Sequence, residues 1–150
     1  MLVSDLRQWI QSATTAAGQY DALHDPHDRI PGAVKLYNWR EVPEDQLNPT
    51  ISRQMIHGET MTVARLRLRK GAIVPLHYHV NEQISMVESG RLRFMIAGEE
   101  CIVKGGETIT IPPNAPHLVE ALEDAVATDL FCPIREDWIR GDDAYLRGQK

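Results

Sequence analysis

The chain has 150 residues, 43% hydrophobic and 25% charged, with 10 glycines and 9 prolines, a composition that fits one globular domain and excludes disordered, collagen-like and coiled-coil chains. Sixteen basic residues against twenty-one acidic ones leave a net charge of −5, so there is no global basic surface to hold nucleic acid or an anionic membrane. An anionic ligand needs a local cationic pocket.

The N-terminal stretch MLVSDLRQWIQSATTAAGQY lacks a basic n-region and an apolar run long enough for a signal sequence or a membrane span, so a cytoplasmic location is expected. Within it, residues 5–17 read as a short amphipathic helix: Ser4 can cap it, Leu2, Leu6, Trp9 and Ile10 share a face, and Gly18 can end it. YDALHDPHDRIPG then reads as a surface connection, with His24 and His27 solvated in it, and the domain boundary falls near Gly32. This gives an N-terminal segment, 1–32, and a main domain, 33–150.

From there the pattern changes to short β-type runs cut by turn residues, as expected for an all-β sandwich or barrel. The expected strands are 34–39, 52–57, 61–69, 73–79, 83–89, 91–96, 101–103, 108–112, 117–122 and 125–131. Lys70-Gly71, Ser89-Gly90, Ala97-Gly98, Gly105-Gly106 and Pro112-Pro113-Asn114 supply the turns between them. In 64–70, Ala64, Leu66 and Leu68 alternate with Arg65, Arg67 and Arg69, a strand with one wet face, although Arg65 or Arg93 could still line a cavity. His57 is expected at a strand end on the surface, and Glu82 on an outer face. Cys101 and Cys132 are too few for a disulfide scaffold, have no zinc-ribbon spacing, and are expected to be small buried hydrophobes. The tail REDWIRGDDAYLRGQK is expected to form a short helix docked by its apolar side before fraying.

Chemistry concentrates in GAIVPLHYHVNEQISMVESG, where His77 and His79 stand two apart and a period of two points both imidazoles to one face. Gln83 has the same parity four residues on, and His117 follows a Pro-rich turn at the start of a strand. Three imidazoles and an amide oxygen form a neutral ligand set for one divalent transition metal ion, with Zn, Ni, Fe and Mn all open, and one or two positions remain for water or substrate. On the last strand Asp129, Phe131 and Arg135 also share parity. A carboxylate, a ring and a guanidinium on one face resemble a substrate site more than a core, the alternative for the two charges being a structural ion pair closing the barrel end.

The sequence here resembles the cupin superfamily. Its first motif, G-x5-H-x-H-x3-E-x6-G, matches at Gly71, His77, His79 and Gly90, with Gln83 where glutamate is expected; its second, G-x5-P-x-G-x2-H-x3-N, matches at Gly106, Pro112 and His117, with Asn114 and Ala121 in place of the glycine and asparagine. The resemblance covers residues 34–138 and implies a double-stranded β-helix, a jelly-roll barrel with its metal inside the mouth, here with a short N-terminal helical extension. Glutamine for glutamate removes a negative charge from the ligand set, which leaves a bound ion more electrophilic but less tightly held.

The run D-x-F-x-P-x-R after H-x-H-x3-Q is similar to that of KdgF-type monocupins of pectin and alginate breakdown. The likeness implies opening of 4,5-unsaturated monouronates to linear keto-acids, with Asp129 as proton shuttle, Arg135 gripping the carboxylate bidentately and Phe131 against the sugar face. It also implies a homodimer paired through an edge strand. Two other readings stay open: a non-haem metal oxygenase or lyase acting on small acids, and a non-catalytic module that binds a metal or small molecule.

Overall fold

A computed structural model describes residues 34–148, and from Leu36 onward these form one compact unit. The N-terminal helix, the connection with His24 and His27, and the last two residues lie outside the described part. Ten strands follow one another: β1 (Glu44–Asn48), β2 (Ile51–His57), β3 (Thr62–Leu68), β4 (Ile73–His77), β5 (Glu82–Ser89), β6 (Arg91–Ile96), β7 (Glu99–Lys104), β8 (Thr108–Ile111), β9 (His117–Ala121) and β10 (Ala125–Cys132). After them come one short helix, α1 (Glu136–Arg140), and a 3-10 turn, Ala144–Leu146. Among the described residues no helix is long and apolar enough to cross a membrane.

All pairings are antiparallel, in a six-stranded sheet of order β1-β2-β3-β10-β5-β8 and a four-stranded sheet of order β4-β9-β6-β7. This is the expected all-β jelly-roll barrel, and it follows from alternation. In β3, Ala64, Leu66 and Leu68 are buried while Arg67 is exposed, and in β10, Ala125, Ala127, Asp129 and Phe131 alternate inward with Val126, Thr128 and Leu130. Arg65 pairs with Glu88 at 2.6 Å and Arg93 pairs with Glu120, both on outer faces, so neither lines the cavity.

Two turns explain local residue choices. Gly90, between β5 and β6, has φ +78°, and a Cβ there would stand 2.2 Å from the carbonyl oxygen of Asp124, so the strands close only over a glycine. Asn114 occupies the position where the second motif expects glycine, and its φ is +61°; asparagine is among the few side chains that tolerate this left-handed backbone.

The structure corrects three expectations. Residues 34–39 form no strand: Asn38 folds the chain into a turn, its carbonyl accepting from the Glu41 N–H at 2.8 Å, and Val34 and Leu36 are exposed, with no strand among the described residues to cover them. The tenth strand is instead β1, a polar segment whose one buried side chain, Leu47, hides its β character from pattern reading. Cys101 and Cys132 are both exposed rather than buried: Cys132 continues the outward parity of β10, and Cys101, although it shares parity with the buried Val103, lies on β7, the edge strand of its sheet, where the cover is incomplete.

One end of the barrel interior is apolar, built from Leu68, Val87, Leu92 and Phe94. The other end is polar. Along β10 the inward series runs from Ala125 and Ala127 to Asp129 and Phe131, and along its neighbour β5 from Val87 through Ser85 to Gln83, so both strands change chemistry toward the same mouth.

Candidate metal centre and substrate cavity

His77 ends β4 and His117 begins β9, and the two are register partners in the four-stranded sheet. His79 lies beyond β4 in the loop to β5, with Gln83 across the interior on the six-stranded sheet. The alternation expected for 77–79 survives off the strand: Tyr78 is exposed and His79 buried. Asn81 holds this loop in place, its side-chain amide donating to the carbonyl of Pro133, while the Asn114 N–H donates to the His79 carbonyl at 2.8 Å.

The three histidines each place one ligand nitrogen within 4.8 Å of the others. Each Nδ1 meets a backbone carbonyl: Pro75 for His77 at 2.8 Å, Asn81 for His79 at 3.0 Å, Ala115 for His117 at 2.8 Å. A carbonyl can only accept, so each Nδ1 carries the proton and each Nε2 presents a lone pair. Burial, with cationic neighbours, lowers the His77 pKa to about 3 and that of His79 to about 4, and burial lowers that of His117 as well, so the imidazoles stay neutral at neutral pH.

Gln83 completes the argument for a cation. Its Oε1 is 3.2 Å from His79 Nε2, two acceptors facing one another, and its amide cannot flip without turning that oxygen onto the Asp129 carboxylate, to which Nε2 now donates at 3.0 Å. A cation between the lone pairs resolves the conflict. The residues therefore fit a divalent ion held by His77, His79 and His117, with Gln83 Oε1 beside them.

Asp129 sits opposite Ser85 in the β10–β5 register, which explains the 2.5 Å hydrogen bond from Ser85 Oγ to its Oδ1. Burial raises its pKa to about 6, against the opposing pull of Ser85 and Arg135. Phe131 is buried edge-on to His79, with ring centroids 5.5 Å apart.

Arg135 reaches the same cavity by a different route from the one expected. The strand stops at Cys132, a cis Cys132–Pro133 peptide follows, and Arg135 is the residue preceding α1. Its side chain, 1% exposed, lies between two rings, with Cζ 4.8 Å from the centroid of Phe131 and 3.9 Å from that of Trp138. Nε and Nη2 grip Asp137 at 2.9 and 2.7 Å, so the bidentate edge expected for a ligand is already occupied, and only Nη1 is buried without a partner. Burial opposes the guanidinium charge, yet Asp137 and Tyr145 hold its pKa above the ordinary value.

His77, Gln83, His117, Asp129, Phe131 and Arg135 all line one cavity. Three further residues belong to it that the sequence reading did not single out as functional. Ser85 could have been found, because it shares parity with Gln83 and Val87 on one strand. Trp138 and Tyr145 could not, because they come from a tail without periodicity. The expected docking of that tail does occur, with Trp138 and Leu146 buried, while Ile139 faces solvent. His57 caps the end of β2 half-buried, its Nδ1 2.9 Å from Thr62 Oγ1, away from this cavity.

Comparison with known proteins agrees with this geometry. Residues 64–132 match the cupin domain family. The chain is 32% identical over 102 residues to the pectin degradation protein KdgF of Dickeya dadantii, covering 66% of this chain and 93% of that protein. Among solved structures, KdgF from a Halomonas species superposes with a TM-score of 0.67 at 26% identity, over 71% of this chain and 99% of that one. An RmlC-like cupin from Shewanella frigidimarina gives 0.66 at 21% identity, over 71% and 96%.

Proposed function

The chain belongs to the cupin family and is of the KdgF type, and on that footing we propose that it is a metal-dependent enzyme that opens 4,5-unsaturated uronates to linear keto-acids. The observation that carries this reading is Asp129: a buried carboxyl whose pKa of about 6 leaves it able both to take and to give a proton near neutrality, set beside neutral metal-ligand imidazoles and a buried guanidinium.

The substrate class suits that equipment. An unsaturated uronate is an anionic cyclic hemiacetal whose ring oxygen is part of an enol ether conjugated to its carboxylate. Opening removes the proton of the hemiacetal hydroxyl as the ring C–O bond breaks, and the resulting enolate becomes a ketone by gaining that proton at carbon. No atom is added or lost overall. Asp129 would carry the proton from oxygen to carbon, with Ser85 and Gln83 donating to its two oxygens to fix its orientation. A bound divalent ion would supply Lewis acidity at a substrate oxygen. Arg135 would answer the carboxylate, giving the local positive charge that a chain of net charge −5 lacks elsewhere. Phe131, already against His79 and the guanidinium, would form the apolar wall for the sugar.

The test is turnover of freshly generated 4,5-unsaturated galacturonate and mannuronate, read as decay of the conjugated enol-ether absorbance against the spontaneous rate. Metal-loaded protein should accelerate the decay, and Asp129→Ala should lose the acceleration at unchanged metal content. No acceleration by the fully loaded wild type would reject the ring-opening reading.

A further inference from the structure

Arg135 alone makes an incomplete site for a carboxylate. A carboxylate has two oxygens and binds best to two converging donors. Both N–H groups of Nη2 have partners, one on Asp137 at 2.7 Å and one on the Tyr145 hydroxyl at 3.1 Å, and Nε also goes to Asp137. Nη1 is the one nitrogen left, buried and unpartnered, and its two N–H bonds point apart, so it meets one carboxylate oxygen and not both.

Tyr145 lies next to it. Its hydroxyl oxygen accepts from Arg135 Nη2 and, at 3.4 Å, from Trp138 Nε1, and among the described residues its own O–H proton has no acceptor. Two N–H donors on one phenol oxygen strengthen that O–H as a donor. The ring stacks on His77 with centroids 4.7 Å apart at 29°, so the phenol lines the cavity beside the ligand cluster.

The position is held from both sides. Asp143 pairs with the buried Arg53 at 2.6 Å, the Leu146 carbonyl accepts from Asn48 Nδ2 at 2.8 Å, and Arg147 pairs with Asp45 at 2.6 Å. All three anchors come from the β1–β2 hairpin, and Tyr145 is the residue they bracket.

We propose that Tyr145 is a substrate-contacting residue: its hydroxyl and Arg135 Nη1 are the two donors that bind the substrate carboxylate, so the C-terminal tail is part of the site and selects for acids. This rests on the reading that the cavity takes a uronate, and it is tested without turnover. Zinc-loaded wild type and Tyr145→Phe are titrated calorimetrically with D-galacturonate, a ring-stable acid, and with D-galactose, which has the sugar ring but no carboxylate. Wild type should bind galacturonate and not galactose, and Tyr145→Phe should weaken galacturonate about tenfold, the cost of one hydrogen bond to a charged group. Zinc content should not change, because the ring and its stacking on His77 remain, and the melting temperature should fall by only a few degrees, since Arg135 Nη2 and Trp138 Nε1 lose their shared acceptor.

Equal galacturonate affinity in the two proteins overturns the proposal. So does wild type that binds galactose as well as galacturonate, since the hydroxyl would then serve the sugar ring, and so does wild type that binds neither. Intact, Tyr145-dependent galacturonate binding without acceleration of ring opening would instead reject the catalytic reading and leave this one standing.

Discussion

Gln83 Nε2 donates to Asp129 Oδ2 at 3.0 Å while the same amide's oxygen faces His79 Nε2 at 3.2 Å. One side chain therefore links the candidate metal site to the candidate proton carrier, and a change at Gln83 should alter both. For Gln83→Glu, the added negative charge should tighten metal binding at least about tenfold. It should also place two carboxylates in contact, raise the pH at which the pair ionises and cut kcat/KM at pH 7 by at least about tenfold. Chelator competition and the pH–rate profile measure the two effects; unchanged metal affinity would remove Gln83 from the ligand set.

Asp129 also predicts how stability depends on pH. Its folded pKa, about 6, lies above the ordinary 3.8, so the folded state holds the proton more tightly than the unfolded chain. Its contribution to stability is complete below about pH 4 and is lost as pH rises through 6. Asn cannot ionise. In metal-free protein the stability of wild type relative to Asp129→Asn should fall by about 2 to 3 kcal/mol between pH 4 and pH 7, as read from urea unfolding. A flat difference across that range would mean the carboxyl is not desolvated.

The histidines carry the opposite sign. Their lowered folded pKa values, about 3 for His77 and about 4 for His79, keep them neutral in the folded protein well below pH 6.5 while unfolded histidines take up protons. Metal-free protein should therefore lose stability as pH falls from 6.5 toward 4. Metal affinity of the folded protein should change less than about tenfold between pH 7 and pH 5, against roughly 10⁴ for three histidines of ordinary pKa. Calorimetric metal titrations in buffers of different ionisation enthalpy read this directly, and proton release near one per histidine would contradict it.

Arg53 tests the anchoring of the tail. It is 1% exposed, stacks over Trp138 with Cζ 4.3 Å from the ring centroid, and pairs with Asp143, also buried. Arg53→Met leaves Asp143 with only Arg147 and should cost about 2 kcal/mol. Trypsin should then cut faster at Arg140 and Arg147. Adding Asp143→Ala should recover part of the loss, because the remaining buried charge goes with it; equal urea midpoints for wild type and Arg53→Met would show that the pair holds nothing.

Much of this molecule is legible from strand alternation. Nine of the ten strands are where period-two patterns and turn residues put them, because most of them bury one face. His77 and His117 become visible through motif spacing, and Gln83 through parity, and the structure brings all three together with His79. Parity fails at Arg135, since it assumes an extended chain beyond Cys132 and the chain turns into α1 instead. It also fails at β1, a hairpin partner of β2 fixed by pairing rather than by an apolar pattern, and at Tyr145, whose place depends on ion pairs to Asp45 and Arg53 about a hundred residues earlier in the chain. Contacts of that range leave no local signature.

The carbonyls that receive the three Nδ1 protons belong to Pro75, Asn81 and Ala115, each two residues from the histidine it serves. They are main-chain atoms, so no exchange of side chain at those positions deletes the acceptor. The tautomers of the ligand cluster are thus inherited from the course of the backbone. The site can drift in sequence around its histidines and still offer the same three lone pairs, and its weak points are the substitutions that bend the chain, such as glycine for Pro75 or a β-branched residue for Asn114.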